Sequence, residues 1–145
     1  MELTIQKSHE DERGAIFKLM MDGEHVTNIL FTKAGYLRAG DLHKCDQFDF
    51  VLCGEVEITR KEDLVELFCS VKPNELLRIP AGQPHIFKSE TDSLVIERWN
   101  GPFECTYYKP YRDRVEAQMK EKKEIYTADE KAKVIERLKQ VNYVD

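Results

Sequence analysis

Up to about Tyr108 the chain is a series of short apolar runs separated by turn residues. Ala15–Met20, Val26–Thr32, Phe48–Leu52, Glu55–Thr59, Leu64–Cys69, Leu76–Ile79, His85–Lys88 and Leu94–Trp99 each read as a strand. Asp22-Gly23, Cys53-Gly54, Pro73-Asn74, Ala81-Gly82 and Thr91-Asp92 punctuate them. Many short strands at this spacing predict an all-β sandwich or barrel.

The character changes at Pro110. Tyr111–Glu124 is rich in charge and in helix formers. Thr127-Ala-Asp-Glu130 is a capping-box signature, in which the threonine hydroxyl caps the Glu130 amide and Glu130 reaches back. Ala132, Ile135, Leu138 and Val141 follow at helical spacing, with Val134 beside the stripe. The expected organisation is one domain: a barrel over residues 1–108 and a helical extension over 109–145 packed on it, with no catalytic role for the tail.

In Phe48-Asp49-Phe50-Val51-Leu52 the side chains alternate between faces. If Gln47 points into a polar pocket with Asp49 and Val51, then Phe48, Phe50 and Leu52 point out of the barrel. Three large apolar residues on one outward face need cover. The expectation is a homodimer that buries them, either directly or beneath the terminal helices.

Composition narrows the classes of function. Net charge is −5, which removes the basic stripe that a nucleic-acid surface requires. No apolar run approaches the ~20 residues of a membrane helix. The first residues lack the basic start and apolar core of a secretion signal, so the chain is expected to be cytoplasmic. The four cysteines, Cys45, Cys53, Cys69 and Cys105, have no C-x-x-C spacing and are expected to be free thiols. Cys45 stands out because it sits between two candidate site residues.

The candidate chemistry lies in two stretches. Asp41 and His43 are two apart on a predicted strand, so both project to one side. Gln47 follows a short loop, and His85 follows the turn Pro80-Ala-Gly82-Gln-Pro84. The run from Gly35 to Gly54 has the spacing G-x5-H-x-H-x3-E-x6-G, with Asp41 in place of the first His, His43 as the second, and Gln47 in place of Glu. The run from Asn74 through Pro80, Gly82 and His85 to Ser89 has the spacing G-x5-P-x-G-x2-H-x3-N, departing at its first and last positions. These stretches resemble the paired motifs of the cupin superfamily, over roughly residues 10 to 108. The resemblance implies a double-stranded β-helix barrel. It also implies that Asp41, His43, Gln47 and His85 occupy the positions where most cupins bind one divalent metal. A set of two His, one carboxylate and one amide suits Fe, Mn, Zn or Ni, with Gln47 a weaker donor than Glu.

A narrower resemblance competes with that reading. Asp11-Glu12-Arg13-Gly14-Ala-Ile-Phe is similar to the D-x-R-G-x-[LIF] segment of sugar-nucleotide cupins. Arg38-Ala-Gly-Asp41-Leu-His43-Lys44, followed by Gln47, resembles the R-G-x-H-x-H-K-x3-Q pattern of dTDP-sugar 3,4-ketoisomerases. There the glutamine is normal and the chemistry needs no metal. This implies an isomerase or epimerase that acts on a nucleotide-linked keto sugar without a cofactor. His43 would carry the proton, and Asp41 would serve as base or hold the imidazole.

Arg38, Lys44, Gln47, His85, Asp49 and Trp99 are the expected substrate contacts. Arg13, Arg78 and Arg98 are further candidates, with Arg13 and Arg78 weighed as ordinary surface charges. Strand parity puts Arg38 in the Asp41–His43 row only if Ala39-Gly40 holds a bulge. The leading expectation is therefore a sugar-nucleotide isomerase or epimerase that binds a small molecule, with neither nucleic acid nor membrane as partner. The alternatives are a metal-dependent small cupin, acting as a dioxygenase or lyase, and a non-catalytic carbohydrate-binding cupin.

Overall fold

The computed structural model describes residues 1–122. Eleven strands form the body: β1 (Leu3–Asp11), β2 (Gly14–Met21), β3 (Glu24–Thr32), β4 (Leu37–His43), β5 (Gln47–Cys53), β6 (Val56–Glu62), β7 (Val65–Val71), β8 (Leu76–Ile79), β9 (His85–Ser89), β10 (Ser93–Trp99) and β11 (Cys105–Tyr107). They make a six-stranded sheet in the order β1-β2-β3-β10-β5-β8 and a five-stranded sheet in the order β11-β4-β9-β6-β7. Every pairing is antiparallel. The fold is the expected all-β double-stranded β-helix, with one helix, α1 (109–122), among the described residues. The capping box at 127–130 and the apolar stripe at 132–141 lie outside the described residues.

Each strand anticipated from the sequence is present within a few residues of its expected ends. Two others carried no apolar pattern to announce them. β1 is exposed along almost its whole length, and β11 has three exposed residues. Both are held by backbone pairing at a sheet edge, which leaves no hydrophobic period in the sequence.

The core lies between the sheets. Leu30, Val51, Val95 and Ile79 from the six-stranded sheet meet Val56, Ile58, Val71 and Phe87 from the five-stranded one, all nearly solvent-free. A second cluster lies on the outer face of the five-stranded sheet, where Tyr111 and Val115 of α1 pack on Ile86, flanked by Leu37 and Met119. Burial of these two α1 side chains supplies its hold on the barrel, at about 1.5–3 kcal/mol for a fully buried large apolar residue.

The β5 alternation holds. Gln47, Asp49 and Val51 are buried, Phe48 and Phe50 are half-buried, and Leu52 is exposed. The described part of α1 covers the opposite sheet. Register places Phe50 in an apolar row across five strands of the outer face: Leu76, Phe50, Ile96, Ile29 and Phe17 are successive cross-strand neighbours. Arg78 and Arg98 flank Phe48 in the same way.

One irregularity decides what faces inward from β4. Its pairing with β9 slips between Ala39 and Asp41, and Ala39 and Gly40 both have left-handed backbone, at φ 68° and 79°. This bulge puts Arg38 on the interior side together with Asp41 and His43. The start of α1 closes over it. Gly40 O accepts from Tyr108 N at 3.0 Å, and Ala39 O accepts from the Arg112 guanidinium at 3.1 Å. A Cβ at Gly40 would lie 2.8 Å from the Arg112 backbone. Gly40→Ala therefore meets both an unfavourable φ and a backbone clash, and is expected to cost at least about 1 kcal/mol. Urea denaturation checks this: a variant as stable as the parent would show that the bulge is not locked by α1.

Candidate functional site

The inward bulge of β4 and the starts of β5 and β9 open onto one cavity of about 330 Å³ inside the barrel. Cross-strand register assembles its centre. Asp41 on β4 is the direct partner of His85 on β9 and of Tyr107 on β11, and His43 is the partner of Cys105. The turn at 80–84 delivers His85. Gly82 takes φ 78°, and its N–H donates to His43 O at 2.8 Å, which ties the turn to the end of β4.

Both imidazoles are held from behind by backbone carbonyls. His43 Nδ1 lies 2.9 Å from Glu104 O, and His85 Nδ1 lies 3.1 Å from Gln83 O. A carbonyl only accepts, so each Nδ1 carries the proton and each neutral ring presents the Nε2 lone pair. Both Nε2 atoms face one carboxylate oxygen, Asp41 Oδ1, at 3.5 Å from His43 and 3.3 Å from His85. Neither Asp41 Oδ1 nor His85 Nε2 has a hydrogen-bond partner among the described residues. Asp41 Oδ2 is occupied separately, accepting from the Cys105 thiol at 3.1 Å.

Three lone pairs thus converge in a largely buried site, and a shared proton or a bound cation would relieve the repulsion among them. A proton is one answer. Burial depresses the His43 pKa, but the Asp41 carboxylate and the Glu104 carbonyl outweigh it, and the pKa ends above its ordinary value. Burial also works against ionised Asp41, yet His43, His85 and Cys105 hold its carboxyl below the usual range. His85, the most enclosed of the three, is pulled down by burial, with Asp41 opposing only in part. A divalent metal is the other answer. One ligand atom from each of Asp41, His43 and His85 lies within 4.8 Å of the others. Two imidazoles fixed by carbonyls on their far nitrogens, plus one carboxylate, is a donor set that suits a first-row divalent ion.

Beside this centre lies an acidic floor. Asp49 on β5 and Glu97 on β10 are cross-strand partners, and the Gln47 amide nitrogen donates to both, at 3.0 and 3.3 Å. Burial pushes the Asp49 carboxyl up to about 7. Burial, then the neighbouring Asp49 and Asp41 charges, drives Glu97 well above its usual range. Across the cavity Arg38 is buried, donating to Thr32 Oγ1 at 2.7 Å and to Phe31 O at 3.2 Å. Its own burial, then repulsion from Arg13, lowers its pKa to about 10.

Of the residues singled out in the sequence, Asp41, His43, Gln47, Asp49, His85, Arg38 and Trp99 all line the cavity. Lys44 does not; it is exposed and paired with Glu104 at 2.8 Å. Arg78 lies on the surface against Asp46, as weighed. Arg13 overturns its reading as a surface charge: it is buried, lines the cavity, and is held by Asp11 at 2.7 Å. Phe103, Cys105 and Arg112 also line it, and no strand pattern announced them. Phe103 stacks near Trp99 and His43 at the mouth, with ring centroids 4.7 and 5.4 Å away. The Cys105 pKa is pushed up to about 12 by burial and then by its bond to Asp41, so this thiol is a donor and not a nucleophile.

No family model and no curated protein matches the chain. Solved structures do. The capsular polysaccharide assembling protein CapF from Staphylococcus aureus is 18% identical, with TM-score 0.60, covering 73% of this chain and 34% of its own. Vicilin from Corylus avellana (hazelnut) is 17% identical, with TM-score 0.62, covering 71% and 34%. A variant of oxalate decarboxylase from Bacillus subtilis is 15% identical, with TM-score 0.62, covering 70% and 30%. The chain has the cupin fold. It spans about a third of the length of these relatives. Among the described residues no helix is long and apolar enough to cross a membrane.

The raised Asp49 and Glu97 carboxyls fix the sign of a pH effect. Unfolded carboxyls titrate near pH ~4, whereas Asp49 keeps its proton to about 7 in the fold. The native state therefore binds more protons in this window, and stability falls as pH rises through it. His43, with its raised pKa, acts in the same direction at the upper end, while His85, lowered by burial, opposes it. Chelator-treated protein is expected to have a higher urea midpoint at about pH 5 than at about pH 8, and Asp49→Asn should reduce the difference. Equal pH slopes in parent and variant would show that Asp49 is ionised in the fold.

Proposed function

We propose that the protein is a small-molecule cupin that holds one divalent transition-metal ion on Asp41, His43 and His85, next to its ligand. The observation that carries this reading is the convergence of two Nε2 lone pairs on Asp41 Oδ1, with both histidine tautomers fixed from behind by Glu104 O and Gln83 O. Bound there, the ion would act as a Lewis acid toward a ligand oxygen. The residues around it do the rest. The Cys105 thiol fixes the Asp41 carboxylate through Oδ2 and leaves Oδ1 free. Phe103 and Trp99, in edge-to-face contact, wall the cavity beside His43. Arg38 supplies a buried positive charge on the far side of the cavity, where a charged or polar ligand oxygen would end.

Metal analysis of protein purified without chelator tests this. About one ion of Fe, Mn, Zn or Ni per chain is expected, falling to a small fraction in Asp41→Asn and in His85→Ala while circular dichroism stays native. Folded parent protein that takes up none of the four ions would contradict the reading.

A second reading has its own support. His43 has a raised pKa beside an ionised Asp41, and the segment from Arg38 to Gln47 resembles that of sugar-nucleotide ketoisomerases. In it His43 takes and returns a proton at the carbon next to a sugar ketone, Asp41 stabilises the imidazolium, and no metal takes part. The protein would then catalyse deuterium incorporation from heavy water into a dTDP-keto sugar. His43→Ala would lose ~10²–10⁴-fold in rate. Exchange that persists in His43→Ala would remove this reading.

The outer row of Leu76, Phe50, Ile96, Ile29 and Phe17 favours a homodimer built on the six-stranded sheet. Light scattering should give twice the chain mass, and Phe50→Glu should shift the protein to monomer. A monomeric parent would count against the dimer.

A further inference from the structure

Two buried polar atoms of cavity-lining residues take no part in the triad. Gln47 Oε1 and Trp99 Nε1 are both enclosed and have no hydrogen-bond partner among the described residues. They belong to directly opposed residues, since Gln47 and Trp99 are Cα partners on β5 and β10, and both line the cavity. We propose that Gln47 and Trp99 together read one neutral hydroxyl of the ligand, and that this end of the pocket selects a hydroxyl over a carboxylate or phosphate oxygen. The inference rests on the reading above only in taking the cavity as a small-molecule site.

The chemistry of the pair is complementary in one way. An indole N–H can only donate, and an amide carbonyl can only accept. Gln47 cannot turn its amide over freely, because its nitrogen already serves two carboxyl groups, Asp49 at 3.0 Å and Glu97 at 3.3 Å. Turning it would give up both bonds and set the carbonyl against Asp49 once that carboxyl is ionised, so the fixed orientation holds above about pH 7. A ligand group that meets the pair must accept from Trp99 and donate to Gln47. An alcohol does both with one oxygen. A carboxylate or phosphate oxygen can accept from the indole, but it then faces the Gln47 carbonyl with no proton to give. The counter-charge, Arg38, approaches from β4 in the other sheet and is engaged with Thr32 and Phe31. Leaving a buried donor or acceptor unmet costs ~1–3 kcal/mol, so a ligand that lacks the hydroxyl forfeits binding at both atoms.

The wall next to the pair adds a shape preference. The Trp99 and Phe103 rings meet edge to face, with centroids 4.7 Å apart, and present apolar surface at the mouth. A ring that carries hydroxyls along its edge and C–H groups on its face fits both features, so the ligand class is a neutral cyclic polyol or the neutral sugar part of a larger molecule.

Trp99 is the chain's single tryptophan, so its fluorescence reports on this pocket alone. The probes are methyl glycosides of glucose, galactose and mannose, with glucuronate and galacturonate as anionic counterparts. At least one neutral glycoside is expected to shift the Trp99 emission saturably, and its uronate to bind about tenfold more weakly or worse. Trp99→Phe keeps the ring and removes the N–H; Gln47→Met keeps the length and removes the carbonyl. Followed by saturation-transfer NMR, each should weaken the neutral ligand by roughly three- to tenfold while metal content stays at the parent value. Uronates that bind as tightly as the neutral sugars, or neutral binding unchanged in Trp99→Phe, would overturn the proposal and leave the metal reading standing. Neutral binding that survives in Asp41→Asn protein without metal would support the pair on its own. If neither neutral nor anionic probes bind the folded parent, the proposal and the small-molecule reading of the pocket both fall.

Discussion

The backbone carbonyls of Gln83 and Glu104 each take a ring N–H from a buried histidine, and the rest of the site depends on that pair of bonds. Fixing Nδ1 as the protonated nitrogen leaves Nε2 as a lone pair on both rings. The fold then aims both lone pairs at one oxygen of Asp41. In water such an arrangement would relax by rotation. Here His85 is enclosed by the barrel, His43 is pinned by the Glu104 carbonyl just before β11, and Asp41 is held through its other oxygen by Cys105. A proton or a metal ion would relieve the electrostatic tension. The two readings of function differ in which one answers it.

The scaffold that holds this arrangement is economical. One bulge turns three residues of β4 inward, and one glycine lets α1 sit directly on the bulge. The short β11 contributes twice, through the Glu104 carbonyl that precedes it and through the Cys105 thiol. Residues more than sixty positions apart in the sequence are thus brought within hydrogen-bond reach of one another.

Much of this was legible in the sequence, for identifiable reasons. The β5 alternation separated Gln47, Asp49 and Val51 from Phe48, Phe50 and Leu52, because a strand with one buried face shows its period directly. Asp41 and His43 shared a face by the same rule, and Gly40 was the residue that allowed a bulge to bring in Arg38. Arg13 was misjudged because nothing local marks an arginine before a glycine turn as buried; its enclosure comes from Asp11 beside it and from strands distant in the chain. Phe103 and Cys105 escaped notice as site residues because an exposed connecting segment and a three-residue exposed edge strand have no hydrophobic periodicity. The tautomers were beyond sequence reasoning altogether, since they are set by carbonyls whose positions exist only in the folded chain.

The central claim is that His43 and His85 both present Nε2 lone pairs to Asp41. Long-range proton–nitrogen correlation spectra of 15N-labelled protein read each tautomer directly. In chelator-treated protein at about pH 9, where neutral rings are expected, both residues should show a protonated Nδ1 and an unprotonated Nε2. Added zinc should then move the two Nε2 resonances and leave Nδ1 protonated. Finding the proton on Nε2 of either ring would contradict the account, because that nitrogen would already be donating to Asp41 and no cation would be called for.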